Sequence, residues 1–291
     1  RTKPKPAKQT INLYLTTMAI TIQDIAKLRK LSGAGLTDCK KALEESNGDI
    51  EKAMEIIRTK GKAVAAKRSD REAAEGCVLA AAQKGFAAIV ALQCETDFVA
   101  KNQGHIDLTQ AILDAAMEHH PKTKEDLLAT VIKDARPVAD HITDRIGSTG
   151  EKMELGYYEF LEAEHTVSYI HPGNKLAVIV SFNEEVDERM ARDIAMQVAS
   201  MNPVSIDEKS VPQAIIDEEL KIARDKAREA GKPEQLLDRI AEGSLQKYYK
   251  ENTLMHQAFI KDNKLSIADY LKQGSKTLQV TAFRRVNLNE E

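Results

Sequence analysis

The residues best suited to chemistry in this chain are few, and their spacing points away from bond making. The sequence holds seven His, three Cys and 45 Asp and Glu. His119 and His120 are adjacent. On a helix such neighbours point apart, whereas two histidines that share a metal need i, i+4 spacing. The pair reads as a solvated helix end. Cys39, Cys77 and Cys94 are too widely spaced for a zinc pattern or a disulfide framework. They predict reduced, mostly buried thiols in a cytoplasmic setting. Neither GxxxxGK[ST] nor GxGxxG occurs, so no glycine-rich loop is expected to cradle a phosphate. No Ser or Cys has a nucleophile-elbow context, and no pair of acids suggests acid–base work. The expectation is a protein without covalent chemistry, metal or cofactor.

One short segment invites a non-covalent role. Thr96-Asp97-Phe98-Val99-Ala100 lies between an apolar strand-like run, Phe86–Cys94, and a helical pattern. Thr96 is a good N-cap, and Asp97 in the first turn suits the helix dipole. Neither role accounts for Phe98, one of six Phe in a chain without Trp. Two readings stand. Phe98 packs back on the sheet, or it stands out beside a carboxylate and is aimed at a partner.

The elements that must carry this corner form an α+β pattern. Residues 1–17 are basic at their start, contain two early prolines and read as a non-native or disordered extension. Residues 18–70 predict a three-helix docking module. Thr21-Ile-Gln-Asp24 resembles a capping box, Ile22, Ile25, Leu28 and Leu31 follow with helical spacing, and Gly33 and Gly35 break the helix. Thr37 is the expected cap of the second helix and Asp49 of the third. Six Lys and Arg against one Asp from Arg58 to Arg71 make a solvated linker helix or a basic face for an acidic surface.

Residues 71–150 predict a first core subdomain, with a hairpin over Gly76–Ala82 and Phe86–Cys94 and a long helix through His105 and Ile112. Residues 151–291 predict a second. Its strands are Glu154–Glu162, His165–Ile170 and Lys175–Phe182, followed by a helix through Met190 and Val198 and a late strand over Leu278–Val286. Two successive hairpin-plus-helix units suggest a duplicated core. Within the second, residues 210–252 predict an antiparallel helical hairpin, broken at Gly231-Lys-Pro233. Its apolar stripe of Leu237, Ile240, Ala241 and Tyr248 is expected to seek a partner, a second copy of the chain included. The net charge of −3 gives no global nucleic-acid signal. No apolar run approaches the roughly 18 residues of a membrane span.

Three segments together resemble the bacterial translation elongation factor Ts family. They are Leu28-Arg-Lys-Leu-Ser-Gly-Ala-Gly-Leu-Thr-Asp-Cys-Lys-Lys-Ala-Leu43 with Asn47-Gly-Asp49, Cys94-Glu-Thr-Asp-Phe-Val-Ala-Lys101, and Asp193-Ile-Ala-Met-Gln-Val-Ala199 with Pro203. The resemblance covers about residues 18–291. It implies an N-terminal module similar to ubiquitin-associated domains, then a core of two related subdomains with an inserted helical hairpin. It implies guanine-nucleotide exchange on elongation factor Tu, in its GDP-bound and nucleotide-free states. It places Thr96, Asp97, Phe98 and Val99 at the partner's magnesium site. It implies contacts with the partner's G domain from Arg29, Leu36, Thr37 and Lys40, from Lys67 and Arg68, and from a core loop at Ile146-Gly147. His171, Met196 and Gln197 would face the partner's third domain. Some relatives carry a further C-terminal helix; with Glu291 soon after the last strand, that contact is expected to be missing here.

Other classes remain open from the residues alone. A scaffold with a docking module would make the core dispensable. A basic-patch RNA binder would follow from Arg58–Arg71, although no aromatic stacking platform accompanies it. A metabolic enzyme would need motifs that the chain lacks.

Overall fold

The computed structural model describes residues 20–290, so the extension at 1–17 and the helix signal at Met18 lie outside the described residues. Helix α1 (Ile22–Ser32) begins at Thr21, whose hydroxyl accepts the Asp24 N–H at 3.1 Å while its own N–H donates to the Asp24 carboxylate at 3.0 Å. This reciprocal pair satisfies two N–H groups that a helix start leaves without partners. The helix ends at Gly33, whose φ of 68° suits glycine. Helix α2 (Leu36–Glu45) is capped by Gly35, and Thr37, expected as the cap, lies inside the first turn. Asp49 starts α3 (Ile50–Lys67) by accepting the N–H groups of Glu51 and Lys52.

The chain then turns through β1 (Glu75–Gln83) and β2 (Phe86–Cys94), paired across Lys84-Gly85. Four helices follow: α4 (Asp97–Ala100), α5 (Gln103–His119), α6 (Lys124–Ala129) and, after Pro137, α7 (Val138–Thr149). Next come β3 (Met153–Leu161), β4 (His165–Ile170), β5 (Leu176–Phe182) and α8 (Glu188–Met201). Helices α9 (Gln213–Glu229) and α10 (Glu234–Asn252) precede β6 (Ala258–Phe259), β7 (Asp262–Ser266), α11 (Ile267–Lys272) and β8 (Val280–Asn287).

These elements group into two units, one of residues 20–67 with Thr143–Gly150, the other of Arg68–Ile142 with residues 151–290. In the first, Leu28, Cys39, Ala42, Leu43, Ala53 and Ile57 form one apolar cluster. A core this thin takes only one face of each helix: Leu28 is fully buried, whereas Ile22 and Leu31 of the same periodic series are 86% and 58% exposed. The C-terminal part of α7 belongs here. A Cβ on Gly147 would sit 2.7 Å from the Gly61 Cα of α3, an approach that glycine permits and a side chain does not.

The second unit holds two three-stranded antiparallel sheets, β1-β2-β3 and β4-β5-β8. Strand β3, read from sequence as opening the second subdomain, pairs with β2 from Ala87↔Leu161 to Cys94↔Met153 and so completes the first sheet. The sheets face each other through Val78, Ala80, Ile89 and Ala91 on one side and Ala177, Ile179 and Val286 on the other. Alternate residues of β5, Val178 and Val180, turn to the opposite face and meet Ile194 and Val198 of α8 and Ile267 and Leu271 of α11. Burial on both faces explains why β5 is apolar from Leu176 to Val180.

Helices α9 and α10 pack against each other. Leu237 and Ala241 of α10 are buried, as are Ala223 and Ala227 of α9. The stripe expected to await a partner is thus largely closed within the hairpin. Leu236, 44% exposed, lies off it.

Candidate functional site

The Thr96–Ala100 corner is built where the β2–β3 ladder runs out. Thr96 caps α4, its hydroxyl accepting the Val99 N–H at 3.4 Å. The Thr96 N–H and hydroxyl both donate to the Glu151 carboxylate, at 3.1 and 2.6 Å. One residue earlier, the Glu95 carboxylate accepts the Lys152 N–H at 2.7 Å, together with Arg68 at 3.2 Å and Arg71 at 3.1 Å. Burial acts to raise the Glu95 carboxyl, but Lys152, Arg71 and Arg68 outweigh it and hold it below the ordinary value. The Cys94 thiol donates to the Thr96 carbonyl at 3.3 Å. Burial, with the Glu151 charge nearby, pushes that thiol up to about 12, which makes it a poor nucleophile.

On this base Phe98 is 83% exposed. It does not pack back on the sheet but stands out beside the Asp97 carboxylate. Asp97 sits beside it and accepts from the Lys101 ammonium at 2.7 Å. That hydrogen bond holds the Asp97 carboxyl below its usual range and raises Lys101. Val99 is half-buried. The result is an apolar ring on a braced, charged corner. Among the described residues no group of three His, Cys, Asp or Glu is placed to hold a metal, and no helix is long and apolar enough to cross a membrane.

The other expected site residues fall into two sets. In the first unit Arg29, Leu36, Thr37, Lys40 and Lys67 are exposed, Leu36 by 56%. Ile146 and Gly147 also belong to it, but not as a loop: both lie within α7, Ile146 is buried and Gly147 is pressed against Gly61. The loop expected there begins only at Gly150. In the second unit Arg68 joins the corner through Glu95, and His171 is exposed in the β4–β5 turn with its Nδ1 3.0 Å from the Tyr169 hydroxyl. Met196 is half-buried. Gln197 departs from expectation. It is fully buried, its amide donates to the Gln257 side chain and the Ala258 carbonyl, and its oxygen accepts the Ile260 N–H. It braces the α8 core and offers no surface. Sequence reasoning gave no role to Glu95, Glu151 and Arg71, because the Glu151–Thr96 and Arg71–Glu95 contacts join residues distant in the chain.

A family profile described as elongation factor TS matches residues 95–290, beginning at the corner glutamate. An elongation factor Ts from Porphyromonas gingivalis is 68% identical over 274 residues, covering 94% of this chain and 100% of its own. One from Azobacteroides pseudotrichonymphae is 56% identical over 275 residues, with 94% and 100% covered. One from Christiangramia forsetii is 47% identical over 275 residues, with 92% and 98% covered. The chain belongs to the elongation factor Ts family. Membership places it in translation elongation.

Proposed function

We propose that this chain is a guanine-nucleotide exchange factor for elongation factor Tu. It binds Tu with GDP, disturbs the magnesium and phosphate site, and promotes GDP release so that GTP can rebind. The observation that carries the reading is Phe98, an almost fully exposed aromatic on a corner fixed by Thr96 and Glu151. A GTPase holds GDP by backbone N–H groups, a helix N-terminus and Mg²⁺. Nanomolar affinity of that kind amounts to about 12 kcal/mol. A factor speeds release only by binding the nucleotide-free form more tightly, and by linkage nucleotide weakens the factor to the same degree.

Phe98 supplies apolar area that is buried only when the G domain opens. Asp97, ionised beside Lys101, competes for hydrogen bonds around the displaced metal shell. Arg29, Leu36, Thr37, Lys40 and Lys67 of the first unit, and Arg68, His171 and Met196 of the second, complete the proposed contacts.

Burying an aromatic side chain contributes about 1.5–3 kcal/mol, so Phe98→Ala should slow GDP release about 10- to 150-fold. Binding to GDP-bound Tu should largely survive, whereas affinity for nucleotide-free Tu should fall by the same factor. The assay is stopped-flow release of fluorescent GDP from Tu. Wild-type acceleration by the variant would sink the wedge role. Because Phe98 is 83% exposed, circular dichroism should find the variant as stable as the parent.

A further inference from the structure

Where the main-chain pairing of β2 and β3 ends, two carboxylates continue it. Cys94 stands opposite Met153, so one step further sets Glu95 opposite Lys152, and the next sets Thr96 opposite Glu151. The Glu95 side chain takes the Lys152 N–H and the Glu151 side chain takes the Thr96 N–H, each in place of a carbonyl. Glu151 does more than extend the ladder. The Thr96 hydroxyl has one proton, and it points to Glu151 at 2.6 Å. That choice turns a hydroxyl lone pair toward α4, where it accepts the Val99 N–H. A helix of four residues cannot hold itself by its own hydrogen bonds, so α4 depends on what grips its first turn. Phe98, with so little packed around it, points wherever α4 points.

We propose that Glu151 is a positioning residue for Phe98. By orienting the Thr96 cap it fixes the direction in which the ring is presented to the partner. The proposal rests on the exchange reading above. Glu95 has a different share. Bound by Arg68 and Arg71 as well as Lys152, it anchors the strand end but makes no bond to Thr96 among its hydrogen bonds to those three groups. The chain of bonds that reaches Phe98 runs Glu151, Thr96 hydroxyl, Val99 N–H.

Glu151→Gln tests this with little change of shape. Glutamine offers one carbonyl and one NH₂ to the two donors of Thr96, so one donor loses its acceptor. Hydrogen bonds to charged groups are strong enough that GDP release at saturating factor should slow about tenfold. A double-mutant cycle separates positioning from general damage. If Glu151 acts through Phe98, E151Q in the F98A background should slow release no further. If it serves only fold stability, the two effects should multiply, which would overturn the proposal. Should E151Q fail to fold by circular dichroism, Thr96→Val keeps the shape, removes the hydroxyl and is read in the same cycle. F98A at the wild-type rate would refute the exchange role of Phe98 itself. F98A slow with E151Q unchanged would refute the positioning role alone.

Discussion

Replacing Gln197 by leucine should destabilise the second unit and leave partner affinity alone. The side chain is fully buried and its amide has three partners: Gln257 Oε1 at 3.2 Å, the Ala258 carbonyl at 3.1 Å and the Ile260 N–H at 2.9 Å. Leucine nearly preserves the volume, so the loss is polar. It strands a backbone donor and two acceptors in a place closed to water at Gln197 itself. A stranded buried group costs about 1–3 kcal/mol. Gln257 keeps its bonds to Met201 and Glu251, and the Ile260 amide lies on a partly exposed residue, so the sum should fall near 2–4 kcal/mol. For a domain of this size each kcal/mol lowers the melting temperature by about 2–4 °C, giving a fall of about 4–16 °C. Differential scanning calorimetry of the isolated chain reads it, on the transition of the second unit, since two units need not unfold together. Affinity for Tu, measured well below that transition, should be unchanged. A melting temperature equal to wild type, with affinity lost, would refute the reasoning and return Gln197 to the contact surface.

Two further outcomes follow from the packing and the charges. Gly147→Ala should lower the melting of the first unit, because its Cβ would meet the Gly61 backbone at 2.7 Å. An unchanged melt would show that α3 and α7 separate freely. At the corner, the folded-state Glu95 carboxyl is depressed below its ordinary 4.5. Its stabilising contribution is present above that value and is lost as pH falls through the lower folded value. Arg71→Ala should move that loss to higher pH, seen by NMR titration of the Glu95 carboxyl; an unmoved midpoint would dismiss the Arg71 contact.

Local features were legible because local physics sets them. The Thr21 box, the Asp49 cap, the stop at Gly33, the hairpin of β1 and β2 and the helix start at Thr96 each rest on residues within a few positions of one another. Failures came where distance matters. Glu154–Glu162 was correctly a strand, yet its alternation could not say that β2, rather than β4 or β5, lies beside it. Thr37 looked like a cap, but glycine one residue before the helix took that place. The family resemblance implied a loop at Ile146-Gly147, but the pair lies within α7, where the glycine marks a helix contact. The short elements β6, β7 and α11 went unread, although Ser266 and Asp269 carry a capping pattern like that of Thr21 and Asp24. Phe98 was singled out by its neighbours. Its support, Glu151, lies 55 residues from Thr96 and acquires meaning only through strand register.

The place of β8 bears on how the molecule assembles. The hairpin of β1 and β2 closes across two residues, Lys84 and Gly85, whereas β5 finds β8 across about a hundred: Ser181 meets Thr281 with a separation of 100. Closing so long a segment is entropically slow and unrewarded until late. The β1–β2 hairpin can therefore nucleate early, and β3 joins it only after the segment that carries α4 to α7. The second sheet must wait, with the apolar edge of β5 unpaired, until residues 280–287 arrive. During that interval this edge is open to mispairing with another copy, until β8 covers it.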